Sequence, residues 1–201
     1  LIAFAQLLFV RIELSLRTFL AMAIGGILSL TAGWIFFLRP YQKLRVLNLL
    51  NPNLDPSGSG YNSLQSLVAI GSGGTFGKGF LQGTQTQLAF LPARHTDFIF
   101  SVFAEEHGFW GGVVVFFLFA LIAYIALEIA RESRDAFSAL LAIGVAALIF
   151  IEFIINVAMV LGIFPVVGMP LPFFSYGGSS LITVCISMGI LVCIEIGRAH
   201  V

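Results

Sequence analysis

Of 201 residues, 59% are hydrophobic and 10% charged, and the mean hydropathy is +1.02. A soluble globule is excluded, because polar surface is too scarce to cover a core and uncharged stretches recur at bilayer-spanning length. The formal net charge is zero, so bulk charge points to no partner, nucleic acid included.

The pattern is that of an all-α, polytopic helical membrane protein. Leu1 falls inside an apolar run without an initiator Met or a signal-peptide pattern. The chain therefore reads as a piece lacking its N-terminal part, with Leu1 to Val10 the end of one helix. Thr18 to Leu38 carries no charge and is long enough for a full crossing at ~1.5 Å per residue. Trp34, Phe36 and Phe37 stand where an interfacial aromatic belt belongs.

Residues 39–97 form the one long non-spanning segment, and a loop of that length is usually functional. It opens with a basic amphipathic piece, Tyr41 to Leu47, suited to the headgroup plane. Turn residues follow from Asn51 to Gly60, then helical spacing from Tyr61 to Ile70, then the glycine run Gly71 to Gly79 around Lys78. That run lacks the spacing, preceding strand and terminal Lys-Ser/Thr of a P-loop. It remains open as a mobile glycine turn or as a loop meeting an anionic lipid headgroup.

His95-Thr96-Asp97 opens the next helical stretch, 98–127, whose crossing proper is expected from about Trp110. Asp97 is either a helix N-cap or a general base at a water–membrane boundary. Asp97, Ser101 and Glu105 recur every four residues and share one face, a polar stripe expected to point into something wet. Ala136 to Leu161 crosses back with Glu152 and Asn156 in its interior. These read as an inter-helix hydrogen bond or as an ion pathway.

Residues 162–178 are rich in Pro and Gly yet uncharged, so a re-entrant or surface-lying segment is expected. Within it, Ser175-Tyr176 sits in no nucleophile-elbow context, and no Cys/His metal cluster occurs. Ser179 to Glu195 is the last crossing. Its Cys185 and Cys193 are expected to be packing residues, since a disulfide within one helix at that spacing is geometrically excluded. Ile196 to Val201 reads like a sequencing-adapter remnant and carries no functional argument. Five Lys/Arg fall on each side of this topology, so charge leaves its orientation open.

Several motifs together resemble the SEDS proteins of bacterial shape, elongation, division and sporulation. They are Asp55-Pro-Ser-Gly-Ser-Gly-Tyr, Ala69-Ile-Gly-Ser-Gly-Gly, Gly77-Lys-Gly, Phe90-Leu-Pro, His95-Thr-Asp-Phe-Ile-Phe, Ala104-Glu-Glu, and Gly162 through Ser180. Gly83-Thr-Gln-Thr-Gln is similar to the elongation branch, RodA. The resemblance implies about ten transmembrane helices in the intact protein, with residues 1–195 the C-terminal part of a single membrane domain. It places the 39–97 loop outside the bacterial cytoplasmic membrane.

It further implies a peptidoglycan glycosyltransferase acting on lipid II beside a class B penicillin-binding transpeptidase and other elongation-machinery membrane proteins. The family's essential aspartate maps onto Asp97. Lys78, Arg94, Arg45 and Lys43 become candidates for the substrate diphosphate, with a divalent cation such as Mg²⁺ as a possible aid. His95, Glu106, Gln85, Ser175 and Tyr176 become candidates for other substrate contacts. A lipid II flippase, with Glu152 and Asn156 as its functional pair, and a non-catalytic scaffold are the rival readings. Two departures from the family pattern are His107, where Leu is usual, and Glu152.

Overall fold

The computed structural model describes residues 16–51, 58–83, 96–133 and 135–199. Its elements are α1 (Leu16–Ala32), a π-helical turn (Gly33–Phe37), α2 (Pro40–Leu50), α3 (Ser59–Gly73), α4 (Ile99–Glu132), α5 (Ala136–Val160) and α6 (Gly178–Ala199). No strand occurs among the described residues. Among the described residues, four stretches are long and apolar enough to cross a membrane: 20–37, 99–132, 136–160 and 178–197. The expected crossings are thereby met, and the chain is a multi-pass membrane protein. The expected partial helix at residues 1–10 lies outside the described residues.

Two compact units divide within α2, residues 1–43 and 44–201. In the first, Ser29 and Thr31 turn their hydroxyls back onto Gly26, Ile27 and Leu28 carbonyls, so neither hydroxyl faces lipid unsatisfied. Lys43 Nζ donates to the Ile35 carbonyl at 3.5 Å. Phe36 and Phe37 are exposed, as an interfacial belt requires.

In the second unit α4 and α5 form the core pair. Lipid offers side chains the same apolar surroundings as a helix neighbour does, so close approach decides the pairing. Toward the Ser133–Asp135 turn the contact is made by Ala126 and Ala130 of α4 with Ala142 and Ala146 of α5, all buried. Toward the other end aromatic rings fill the gap, with Phe119 stacked on Phe153 at 4.3 Å between centroids. Asp135 caps α5 by accepting from the Ser138 amide at 2.8 Å, which holds its carboxyl below the ordinary range. α6 turns Val184, Ser187 and Leu191 inward, leaving Cys185 and Cys193 free on its exposed face. The expectation that the thiols pack is corrected within this chain: the buried apolar residues of α6 are Val184 and Leu191, and both thiols are exposed.

α5 ends in a Schellman motif. Gly162 (φ 67°) bonds back to the Met159 carbonyl, and Ile163 to that of Ala158. The chain then runs without helix through 163–177. Ser66 of α3 locks three helices together by bonding the Val160 carbonyl at 2.6 Å and Ser101 at 2.9 Å.

α4 is broken at Gly108, whose φ 66°, ψ −162° is open to glycine alone. A break strands carbonyls before it and amides after it. The 73–79 turn takes up both sets. Lys78 and Gly79 amides donate to the Glu105 and Glu106 carbonyls, while Phe109 and Trp110 amides donate to the Gly74 and Thr75 carbonyls. Such backbone-on-backbone contact needs residues without Cβ. A Cβ at Gly73 would meet the Ala104 carbonyl, and one at Gly77 that of Glu106. The glycine run is thus a splint for a broken helix. Among its amides, those of Lys78 and Gly79 are bound to α4 and so are not offered to a headgroup.

Candidate active site

Asp97 lies in the Thr96–Phe98 turn ahead of α4. The residue capping α4 is Phe98, and no side chain caps the helix. The N-cap alternative for Asp97 is therefore corrected. Phe98 is 1% exposed, so its ring rather than a capping carboxylate anchors the helix start. Asp97 itself is half-buried, and its carboxylate makes no hydrogen bond with another described residue. Oδ2 faces Gly168, where a Cβ would stand 3.3 Å away.

Two side chains from other elements hold this turn. Asn156 of α5, fully buried, donates Nδ2 to the Asp97 carbonyl at 3.0 Å and to the Met169 carbonyl at 2.6 Å. Ser175 donates its hydroxyl to the Thr96 carbonyl at 2.6 Å and accepts from the Leu171 amide at 2.6 Å. The 162–177 segment and the Asp97 turn thus share one end of the α4–α5 pair. Leu171 and Pro172, almost wholly buried, pack that segment down.

Ser101 and Glu105, expected to continue a wet stripe from Asp97, are both 0% exposed. They share a face, but it turns into protein. Glu105 pairs with Lys78 at 2.9 Å and lies 3.4 Å from the Ser72 hydroxyl. The Lys78 ammonium is therefore engaged with a buried carboxylate six residues into α4, about 9 Å along the helix from its start at ~1.5 Å per residue. Glu106, the neighbouring candidate, is half-buried.

Tyr176 is 87% exposed beside Ser175. Arg45 and Lys43 stand on α2, one on either side of the division between units. Arg94, His95 and Gln85 lie outside the described residues.

Asn156, read as either structural or functional, is a helix-to-loop tie, whereas Glu152 is half-buried and makes no hydrogen bond with another described residue. His107 is accommodated by stacking on Phe103 at 4.3 Å. Gly168 was missed. One glycine among 21 carries no sequence signal that it faces a carboxylate.

No three His, Cys, Asp or Glu side chains converge to hold a metal among the described residues. A profile of the FtsW/RodA/SpoVE family, described as cell cycle proteins, matches residues 1–200. The chain belongs to this family.

This family member is RodA-like. It is 48% identical over 165 residues to the peptidoglycan glycosyltransferase MrdB of Escherichia coli K12, covering 82% of this chain and 45% of that one. It is 47% identical over 158 residues to the peptidoglycan glycosyltransferase RodA of Treponema pallidum, covering 79% and 36%. It superposes on a chain from a peptidoglycan synthase complex that coordinates polymerization and crosslinking, with TM-score 0.72 and 32% identity over 92% of this chain and 50% of that chain. The chain thus spans about half the length, or less, of the proteins it matches.

Proposed function

We propose that this chain carries the general base of a peptidoglycan glycosyltransferase that polymerises lipid II during cell-wall elongation. The observation that carries the reading is the Asp97 carboxylate. It is half-buried, caps no helix and pairs with no cation among the described residues, and is set in a turn tied down from two other elements. The relatives whose names state this activity match the chain across that turn.

In the reaction, the acceptor sugar's 4-hydroxyl loses its proton to Asp97 as its oxygen bonds the donor's anomeric carbon. The bond from that carbon to the polyprenyl diphosphate breaks, and the diphosphate leaves with the electron pair. General base assistance of this kind contributes ~10²–10⁴-fold. The leaving diphosphate needs positive charge. Arg94, Arg45, Lys43 and Lys78 are the candidates, and Lys78 already has Glu105 to neutralise. His95, Gln85, Glu106 and Tyr176 are assigned to further substrate contacts, with Tyr176 the most accessible of those described.

Among the described residues no cage for a divalent cation occurs. A divalent cation, if recruited, would come bound to the substrate's diphosphate and would neutralise phosphate charge there, leaving Asp97 to act as base. The site faces outward from the bacterial cytoplasmic membrane, beside a class B penicillin-binding transpeptidase and other elongation proteins.

The rival lipid II flippase needs Glu152 and Asn156 as a pair, but Asn156 is committed to two backbone carbonyls. Incubating the purified full-length protein with lipid II and resolving glycan strands on a gel separates the two. A polymerase yields a ladder. Transport into vesicles without any ladder would overturn the proposal.

A further inference from the structure

Asn156 and Ser175 contact opposite sides of one residue. The Thr96 carbonyl belongs to the peptide plane before the Asp97 Cα, and the Asp97 carbonyl to the plane after it. Ser175 takes the first at 2.6 Å and Asn156 the second at 3.0 Å. Peptide groups are rigid planes, so pinning both flanking planes fixes φ and ψ at Asp97 and with them the direction of its Cβ. A turn residue outside the helix has no intrahelical bonds to do this.

The same two side chains grip the facing loop, Asn156 at the Met169 carbonyl and Ser175 at the Leu171 amide, both 2.6 Å. Just before the Met169 grip lies Gly168, at φ 75°, whose missing side chain leaves room for Oδ2. Loop and turn are therefore set relative to each other, and only the aspartate's own χ angles remain free.

We infer that Asn156 and Ser175 are positioning residues that aim the Asp97 carboxylate through its backbone, with Gly168 as the opposing wall. The inference rests on Asp97 being the base. It also reassigns Ser175 from substrate contact to support, because its hydroxyl donates to one backbone group and accepts from another. Misplacing a reacting group by ~1 Å costs about 10²-fold in rate. Loss of either tie therefore lowers kcat by about that factor while leaving KM for lipid II within about threefold.

The test compares Ser175→Ala, Ser175→Thr, Asn156→Leu and Asp97→Asn in the full-length protein, with kcat and KM from lipid II polymerisation and Tm in the same detergent. Expected are a ~10²-fold drop in kcat for Ser175→Ala and Asn156→Leu, and recovery to within about threefold of wild type for Ser175→Thr, which keeps the hydroxyl. Hydrogen exchange adds a readout independent of activity, since the Leu171 amide should exchange at least about tenfold faster in Ser175→Ala. Unchanged exchange, or Ser175→Ala with wild-type kcat, overturns the inference alone. A parallel loss of kcat and Tm that Ser175→Thr does not relieve marks a merely structural residue and also overturns it. Wild-type activity in Asp97→Asn overturns the base assignment beneath it.

Discussion

Replacing Gly108 by Ala tests whether the glycine run splints a broken α4. A non-glycine residue in that backbone region costs ~1–3 kcal/mol. The new Cβ would stand 2.8 Å from the Phe76 nitrogen and carbonyl carbon, closer than real contacts allow, so the 73–79 turn must withdraw. Four cross-bonds at 2.9–3.3 Å depend on that turn's position. Losing two of them at ~0.5–1.5 kcal/mol each adds ~1–3 kcal/mol.

The sum centres on about 4 kcal/mol, which for a chain of this size lowers Tm by roughly 8–16 °C. Thermal unfolding of the detergent-solubilised protein reads it directly. Gly112→Ala, one turn further along, is the control. Its Cβ meets nothing closer than Phe100 Cζ at 3.5 Å, so Tm should hold or rise slightly. A Gly108→Ala protein melting within about 2 °C of wild type would refute the splint.

Three further outcomes are expected. Lys78→Met removes the ammonium 2.9 Å from the fully buried Glu105 carboxylate and should destabilise by up to ~3–5 kcal/mol, most of which the double variant with Glu105→Leu restores. An unchanged Tm in the single variant would return Lys78 to the diphosphate candidates on equal terms. Glu152→Gln, at a half-buried position without a hydrogen bond to another described residue, should leave polymerisation within about twofold; a tenfold loss would revive the transport reading. Asp135 has its carboxyl held low by the Ser138 amide, so its contribution is full above the ordinary value of 3.8 and is lost as pH falls through the lowered one. The Tm gap between wild type and Asp135→Ala should therefore be present at pH 6 and close toward pH 3.

Crossings, the α2 and α3 segments and the Asp97 turn were legible because bilayer length, amphipathic spacing and turn residues each leave a local pattern. Which way a polar face turns was not. Asp97, Ser101 and Glu105 have the spacing of a wet stripe, but Glu105 finds Lys78 from 27 positions earlier and Ser101 finds Ser66 from 35 positions earlier. Periodicity says which residues share a face and nothing of what packs against it. The glycine run misled for a similar reason. Glycine serves a ligand and a neighbouring backbone by the same absence of Cβ, and only the break at Gly108 tells the two apart. Asn156 did announce itself, since an amide in mid-membrane must find partners; that those partners are the carbonyls of Asp97 and Met169 needed the fold.

The account stands on Asp97 as the base. Asp97→Asn keeps the side chain's shape and both backbone ties while removing the proton acceptor. In the full-length protein, polymerisation of lipid II should fall at least ~10²-fold, with Tm within about 2 °C of wild type. Glycan strands made at the wild-type rate by that variant would contradict it.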